Sequence, residues 1–398
     1  MVEEEFALSD GQNIRVGFVL FPLLGLHNNL RNLFAAIRSL QGNPLTPVLF
    51  MGKRQRDVSA DFSGIEIVRA SILDHKSVAW VIRKIIAKVT RRDYLLERLL
   101  RRHSIKVLSH VSFLGRQTAA KTIGWIADFQ HVHLPEYFTR EEILVRDNQF
   151  RDVCVNSDRV IVSSECARAD LCTIFPEYAH KAELLRFVAG PDLLVQASIL
   201  EELQKLYGFD GPYFLLPNQF WPHKNHRIVL DALRLLKSRN QPYLVLVTGS
   251  TKGHTSPLYF TELMQYADEC NVLDCFRVLG VIPYAHLIGL MENAVAIINP
   301  SRFEGWSTSV EEAKSIGKQI VLSDIPVHLE QAPERSFYFS ANDPLALADA
   351  MVDASSHFEK YNDEASQKLA RIRYPDRIRE FGDTYLQIVR NVVLEMEC

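Results

Sequence analysis

The chain has 398 residues, 47% hydrophobic and 23% charged, which is too long for one ordinary core and too apolar for extensive disorder. Its net charge of −3 provides no global positive field, which argues against a nucleic-acid partner. The six cysteines (Cys154, Cys166, Cys172, Cys270, Cys275, Cys398) include no C-x-x-C pair, so zinc spacing is absent and reduced thiols in a cytoplasmic protein are expected.

The leader Met1-Val2-Glu3-Glu4-Glu5 is acidic where a signal peptide would be basic, and no apolar run reaches spanning length. The expectation is a soluble protein, held at most to the inner face of a membrane. Ile14 to Phe21 reads as a buried strand, followed by a turn over Pro22, Gly25 and His27-Asn28-Asn29 and a helix from Leu30 to Leu40. Further strand-like runs fall at Pro47–Met51, Ile65–Val68, Val107–Val111, Ile123–Ile126 and Arg159–Val162, with helical patterns between several of them. One stretch is basic: Arg83, Lys84, Lys88, Arg91, Arg92, Arg98, Arg101 and Arg102, with apolar residues at helical spacing. It fits either a solvated helix face or a peripheral contact of Arg83–Arg102 with an anionic membrane.

The pattern restarts after Gly190-Pro191, with strands at Tyr213–Leu216, Tyr243–Thr248, Phe276–Leu279, Ala294–Asn299 and Gln319–Ser323 and a helix at Asn225–Ser238. Strands alternating with helices predict parallel sheets with crossovers, hence two α/β halves facing across a cleft. The expected boundaries are residues 1–205 for an N-terminal Rossmann-like acceptor domain and 206–375 for a C-terminal Rossmann-like donor domain. Residues 376–398 are expected to form a helix packing back toward the first domain.

The segment NPSRFEGWSTSVEEAKSIGK, residues 299–318, carries the most chemistry. A strand ends, a loop follows, and a helix begins near Thr308, so Glu304 sits in the loop and Glu312 about one turn into the helix. Free N–H groups at a helix start suit a diphosphate. The competing structural reading is a capping box over Ser309-Val310-Glu311-Glu312, in which Glu312 only satisfies the helix start.

SRFEGWSTSVEEAKSIGK resembles the FEGFGLPVLEAMACG motif of the retaining GT-B glycosyltransferases of family 4, the glycosyl transferases group 1. VLGVIPYAHLIGLMENAVAIINPS before it and GKQIVLSDIPVHLEQ after it resemble the flanking family pattern, over about the last half of the chain. The resemblance implies that Glu304 contacts the donor sugar and Glu312 the ribose, with the backbone of Gly305, Trp306, Ser307 and Thr308 near the sugar and phosphates. It puts Ile282 in the base-selecting backbone. NQFWPHKNH, residues 218–226, resembles the loop that grips the diphosphate. Lys224 falls on the family lysine, while Gln219 replaces the family arginine, leaving Arg302 or Arg227 to compensate. This variant resembles bacterial surface-polysaccharide enzymes, including those of lipopolysaccharide biosynthesis.

In the first half, IGWIADFQHVHLPEYF resembles the segment carrying a cleft histidine, which points to His131 ahead of His133; a structural histidine fits equally. Ser164 and Glu165 resemble a cleft-facing element, Gly25 the glycine turn near the donor phosphates, and His110 is a further candidate. The implied activity is transfer of a hexosyl group from a nucleotide-sugar to a glycan, glycolipid or polysaccharide acceptor. No Asp-x-Asp motif occurs, so the reaction is expected to be metal-independent, without a cofactor, and by resemblance retaining. A sugar-nucleotide epimerase or hydrolase of the same architecture, or a degenerate sugar-nucleotide-binding subunit, is the alternative. A nicotinamide oxidoreductase would need G-x-G-x-x-G where the chain has FPLLGLHNNL.

Overall fold

The computed structural model describes residues 13–20, 24–110, 114–115, 118–190, 197–252 and 258–394. The elements run β1 (Ile14–Val19), α1 (Leu24–Ser39), β2 (Leu45–Met51), β3 (Glu66–Arg69), α2 (Val78–Thr90), α3 (Tyr94–Arg102), β4 (Val107–Ser109) and β5 (Lys121–Ile126). Next come α4 (Gln130–His133), α5 (Arg140–Asn156), β6 (Arg159–Val162), α6 (Glu165–Ile174) and β7 (Ala182–Leu184). The second series is α7 (Leu200–Tyr207), β8 (Tyr213–Pro217), α8 (His226–Ser238), β9 (Leu244–Thr248), α9 (Tyr259–Glu269), β10 (Phe276–Gly280), α10 (Tyr284–Asn293) and β11 (Ile297–Asn299). It ends with α11 (Thr308–Ile316), β12 (Ile320–Ser323), α12 (Pro326–Gln331), β13 (Ser336–Phe339), α13 (Pro344–Ser356) and α14 (Lys360–Leu394).

Two compact units result. The first takes in residues 1–129, 141–187 and 375–398, and the second residues 130–140 and 188–374. Each holds one wholly parallel sheet, ordered β3-β2-β1-β4-β5-β6-β7 in the first and β10-β9-β8-β11-β12-β13 in the second. Strands buried on both faces must be apolar throughout, and Phe214, Leu215, Leu216, Val245, Leu246 and Val247 are all fully buried. One cluster on the second sheet gathers α8 and α13, and another gathers α10 and α11. Both units are therefore Rossmann-like α/β/α layers.

Several boundaries differ from the sequence-based expectation. The helix after β1 starts at Leu24, so His27, Asn28 and Asn29 are helical and not a turn, and Gly25 lies in the helix's first turn. The apolar spacing of Leu26, Leu30, Leu33 and Ile37, all buried, continues the helix through those polar residues. The last helix is one element from Lys360, with Pro375 inside it, instead of beginning at residue 376. Its later part belongs to the first unit, where Tyr385 packs on Phe18 with ring centroids 6.4 Å apart. Finally, residues 130–140 and 188–205, expected in the first domain, group with the second unit.

Candidate active site

In the second sheet the chain order reverses between β8 and β11, which are neighbours. Ligands of open parallel sheets bind beyond the strands' carboxyl ends at such a switch point. The two motif loops, residues 218–225 after β8 and 300–307 after β11, lie there.

Hydrogen bonds stitch the loops into one structure. Asn218 Nδ2 donates to Asn299 Oδ1 at 3.2 Å, and the Arg302 N–H donates to the His223 carbonyl at 2.8 Å. Asn225 adopts φ 57° and its Nδ2 donates to the carbonyls of Pro300 (3.1 Å) and Ala341 (2.9 Å). Asparagine is one of the few residues that tolerate this left-handed geometry, and its amide is short enough to reach both carbonyls. Gly249, after β9, has φ +133°, and a Cβ there would lie 2.4 Å from the Asn218 carbonyl oxygen, so only glycine fits. The next residue, Ser250, donates its N–H to Gln219 Oε1 at 2.7 Å. Gln219, which replaces the family arginine, thus ties the β8 loop to the β9 loop.

Lys224 and Glu304, eighty residues apart, meet across these loops: Nζ stands 2.5 Å from Oε1, with side chains only 13% and 9% exposed. Ser301 Oγ lies 2.6 Å from the same Oε1 and 2.7 Å from Asn299 Oδ1, so its single proton is shared between them. Burial would raise the Glu304 pKa, but Lys224 outweighs it and holds the carboxyl below its ordinary value. Burial pushes His223 down to about 3, helped by Lys224, and His328 down to about 4. At neutral pH the site therefore holds an ionised carboxylate and two neutral imidazoles beside Lys224. His328 is anchored through Nδ1, 3.0 Å from both the hydroxyl and the carbonyl oxygen of Ser323. The same Ser323 hydroxyl lies 2.6 Å from the Ser301 carbonyl.

Helix α11 has Ser307 as its N-cap, but the serine side chain does not cap it. Ser307 Oγ instead accepts from Asn299 Nδ2 at 2.8 Å, while its N–H donates to Gln331 Oε1 at 3.0 Å. Gln331 Nε2 returns bonds of 3.0 Å to the Ser307 carbonyl and to Glu311 Oε1. The capping box does not form, because the N-cap is Ser307, two residues before Ser309. Glu311 makes the local structural contacts, including Lys314 at 3.2 Å, while buried Glu312 accepts the Tyr284 hydroxyl at 3.1 Å from the start of α10. The N–H groups of Thr308, Ser309 and Val310 have no acceptor earlier in the helix, as at any helix start. Gly305 is half-buried, Trp306 buried and Thr308 exposed; Ile282, half-buried, precedes α10.

The remaining candidates scatter. His131 is buried in α4 and counts with the second unit, and its neighbour His133 stacks on Phe303, one residue before Glu304, at 5.2 Å and 27°. His110, with φ 61°, sits among Phe18, Trp125 and Tyr385 in the first unit, where burial lowers its pKa to about 3; it is a core residue. Ser164 caps α6 by accepting from the Ala167 N–H, and Glu165 pairs with Arg168 at 2.7 Å. Gly25 lies within α1, away from the turn expected of it. Arg227 lies 3.8 Å over the Tyr266 ring, whereas Arg302 is exposed next to the loop. Of the two cations that could compensate for Gln219, Arg302 is the one not held by an aromatic ring. Among the described residues no group of three His, Cys, Asp or Glu side chains could hold a metal ion. None of their helices is long and apolar enough to cross a membrane.

Tyr284, Ser301, Asn225, Gln331 and His328 were not singled out from the sequence. Only Asn225, directly ahead of an apolar-periodic helix, carried a usable signal, that of a helix-entry residue.

The family model described as glycosyl transferases group 1 matches residues 201–368. That stretch is a glycosyl transferases group 1 domain. It contains β8 to β13 and every residue of the Lys224–Glu304–Glu312 cluster. The chain is similar to the O-antigen chain mannosyltransferase B of Escherichia coli, 22% identical over 62% of this chain and 63% of that protein. A second relative, the O-antigen chain mannosyltransferase RfbU of Salmonella typhimurium, is 28% identical over 37% of this chain and 42% of its own length. The chain thus spans less than two thirds of either relative. Among solved structures, a glycosyltransferase from Rickettsia africae superposes with a TM-score of 0.64 at 15% identity, covering 97% of this chain and 98% of that one. This likeness establishes the GT-B fold, two Rossmann-like domains in one chain.

Proposed function

We propose that this protein is a glycosyltransferase of surface-polysaccharide biosynthesis that moves a sugar from a nucleoside diphosphate sugar to a glycan or lipid-linked saccharide. The observation that carries the reading is the buried Lys224–Glu304 pair at the β8/β11 switch point, beside the start of α11. Glycosyl transfer builds negative charge on the departing phosphate and positive charge on the anomeric carbon. An ammonium and the α11 N–H groups suit the phosphate; a carboxylate kept ionised suits a sugar hydroxyl. Glu312, held by Tyr284, is assigned the ribose, with Gly25, Gln219, Ile282 and the 305–308 backbone as the further donor contacts.

Positive charge from Lys224 and the helix start supports a reaction without a metal, and Arg302 is the side chain assigned to supplement it. His131 is assigned to the acceptor side, an assignment supported by the contact of its neighbour His133 with the donor loop. Retention of configuration, with the leaving phosphate taking the acceptor proton, rests on the motif resemblance. The relatives' names make mannose the sugar to test first.

The test is a thermal-shift panel of nucleoside diphosphates and their mannose and glucose conjugates, in chelator and then with Mg²⁺ or Mn²⁺. Ligand at a hundred times its Kd stabilises by about 2.7 kcal/mol, which is readily seen as a rise in Tm. A rise in chelator is expected, and it should fall away in Glu312→Ala. No shift with any nucleotide would overturn the donor site, and a shift only with metal would overturn metal independence.

A further inference from the structure

The basic stretch 83–102 folds as two helices joined by a short turn, and its cations divide into two sets. Arg83 is buried and donates Nε to Asp93 at 2.8 Å; Arg92 grips Glu97 through two bonds of 2.8 and 2.7 Å; Arg101 reaches the same carboxylate at 3.3 Å. The first pair ties α2 to the start of α3, the second ties the turn to α3, and the third lies within α3. Lys84, Lys88 and Arg91 are exposed.

Helix α2 is inverted. The face toward the protein carries Arg83 and Ala87, while Val78, Val81, Ile82, Ile85 and Val89 point to solvent. Val78 is 77% exposed, Ile85 58% and Val89 78%. At 100° per residue these five positions form one stripe about 100° wide, and Lys84 and Lys88 fall along one of its edges. A helix start with Ser77 accepting the Trp80 N–H, and Arg91 closing the end at φ 52°, fix the stripe's length. Beside that end lies a pocket of about 520 Å³ lined by Ala87, Lys88, Thr90, Arg91, Arg92, Asp152, Val155 and Asn156. Exposing five branched aliphatic side chains in a row is costly in water, and contiguous patches of this kind mark interaction surfaces. An adjoining edge of exposed cations, of which Lys84 lies 5.9 Å over the Trp80 ring, selects an anionic partner.

We propose that α2 docks flat on an anionic lipid surface, its Val78–Val89 stripe among the acyl chains. Lys84, Lys88 and Arg91 then meet the lipid phosphates, one of which the pocket beside Arg91 admits. Apolar area and cationic edge act together, as an interfacial helix requires. Asp152 also lines this pocket, so the charge that selects phosphate comes from Lys88 and Arg91, with Arg92 already neutralised by Glu97. This reading is independent of the proposed donor chemistry.

Flotation of the full chain with phosphatidylcholine vesicles, with and without phosphatidylglycerol, tests it. The protein is expected to float with anionic vesicles only, and less at high salt. Lys88→Gln and Arg91→Gln should each weaken partition about fivefold, and Ile82→Glu/Ile85→Glu should lower it at least tenfold without lowering Tm, since both sites are exposed. Failure of the wild type to float, or undiminished flotation of Ile82→Glu/Ile85→Glu, would overturn the proposal. So would a dimer in sedimentation analysis that this double variant abolishes while vesicles remain unbound, since a second copy would then be the occupant.

Discussion

At the scale of single residues, Lys224 and Glu304 act as a pair before either acts on a ligand. Both are largely withdrawn from water, and each is the other's compensation. Removing one leaves a buried charge opposite nothing, which costs about 3 kcal/mol. Lys224→Met and Glu304→Gln are therefore each expected to lower the unfolding midpoint clearly. The double variant should recover most of that loss, because the stranded charge goes with its partner. Transfer activity should be lost in all three. Urea titration of the four proteins checks this as a double-mutant cycle, with a coupling of about 2 kcal/mol or more expected. Additive losses would mean that the two groups are compensated separately. A double variant that regains stability without activity would separate the folding contribution of the pair from its chemistry.

At the scale of elements, the site depends on how the β8 loop enters α8. Asn225 fixes that entry with a left-handed backbone and two carbonyl bonds. Asn225→Gly keeps the backbone geometry and loses the bonds, at about 2 kcal/mol for the two. Asn225→Ala loses the bonds and adds about 1 kcal/mol of backbone strain. Stability in chemical denaturation should rank Asn, then Gly, then Ala; equal losses for Gly and Ala would show that φ 57° is not enforced. The same elements show why the sequence was readable where it was. Strands buried on both faces announce themselves as apolar runs, so most of both sheets, the helix at Thr308 and the two motif loops could be located in advance. The edge strands Glu66–Arg69 and Ala182–Leu184 are short and half-buried, and the first was displaced by one residue while the second was missed. The capping-box reading of Glu312 and the turn over His27–Asn29 failed for one reason. Local polar signals were outweighed by burial, through the Tyr284 contact in one case and through the apolar spacing of the buried leucines of α1 in the other. Which residues build the site also depends on such contacts: Tyr284, Gln331 and His328 are brought in by the sheet order, which no spacing in the sequence encodes.

At the scale of the whole molecule, both Rossmann-like units keep neutral histidines inside. His110 in the first unit and His223 and His226 in the second are depressed to about 3, and His328 to about 4, in each case chiefly by burial. The ordinary value is 6.5, so between that pH and about 4 the unfolded chain binds protons that the folded one refuses. For such a base, stability is complete above pH 6.5 and is lost as pH falls through that window. Glu304 has the same sign but acts lower on the scale. Its lowered pKa gives stability that survives until pH drops below the ordinary carboxylate value of 4.5, so it contributes nothing to a change between pH 7.5 and 5.5. One unit below 6.5, each histidine costs about 1.4 kcal/mol. The urea midpoint is therefore expected to fall markedly from pH 7.5 to 5.5, well above the range where carboxylates titrate. His226 offers a clean check, because its ring stacks on Phe220 at 4.4 Å and 12° and a phenylalanine can take its place. His226→Phe should shrink the loss at pH 5.5 by about 1.4 kcal/mol and leave stability at pH 7.5 little changed. A midpoint that is flat over this range, or a loss that His226→Phe leaves intact, would mean that the buried imidazoles take up their protons without opening the fold.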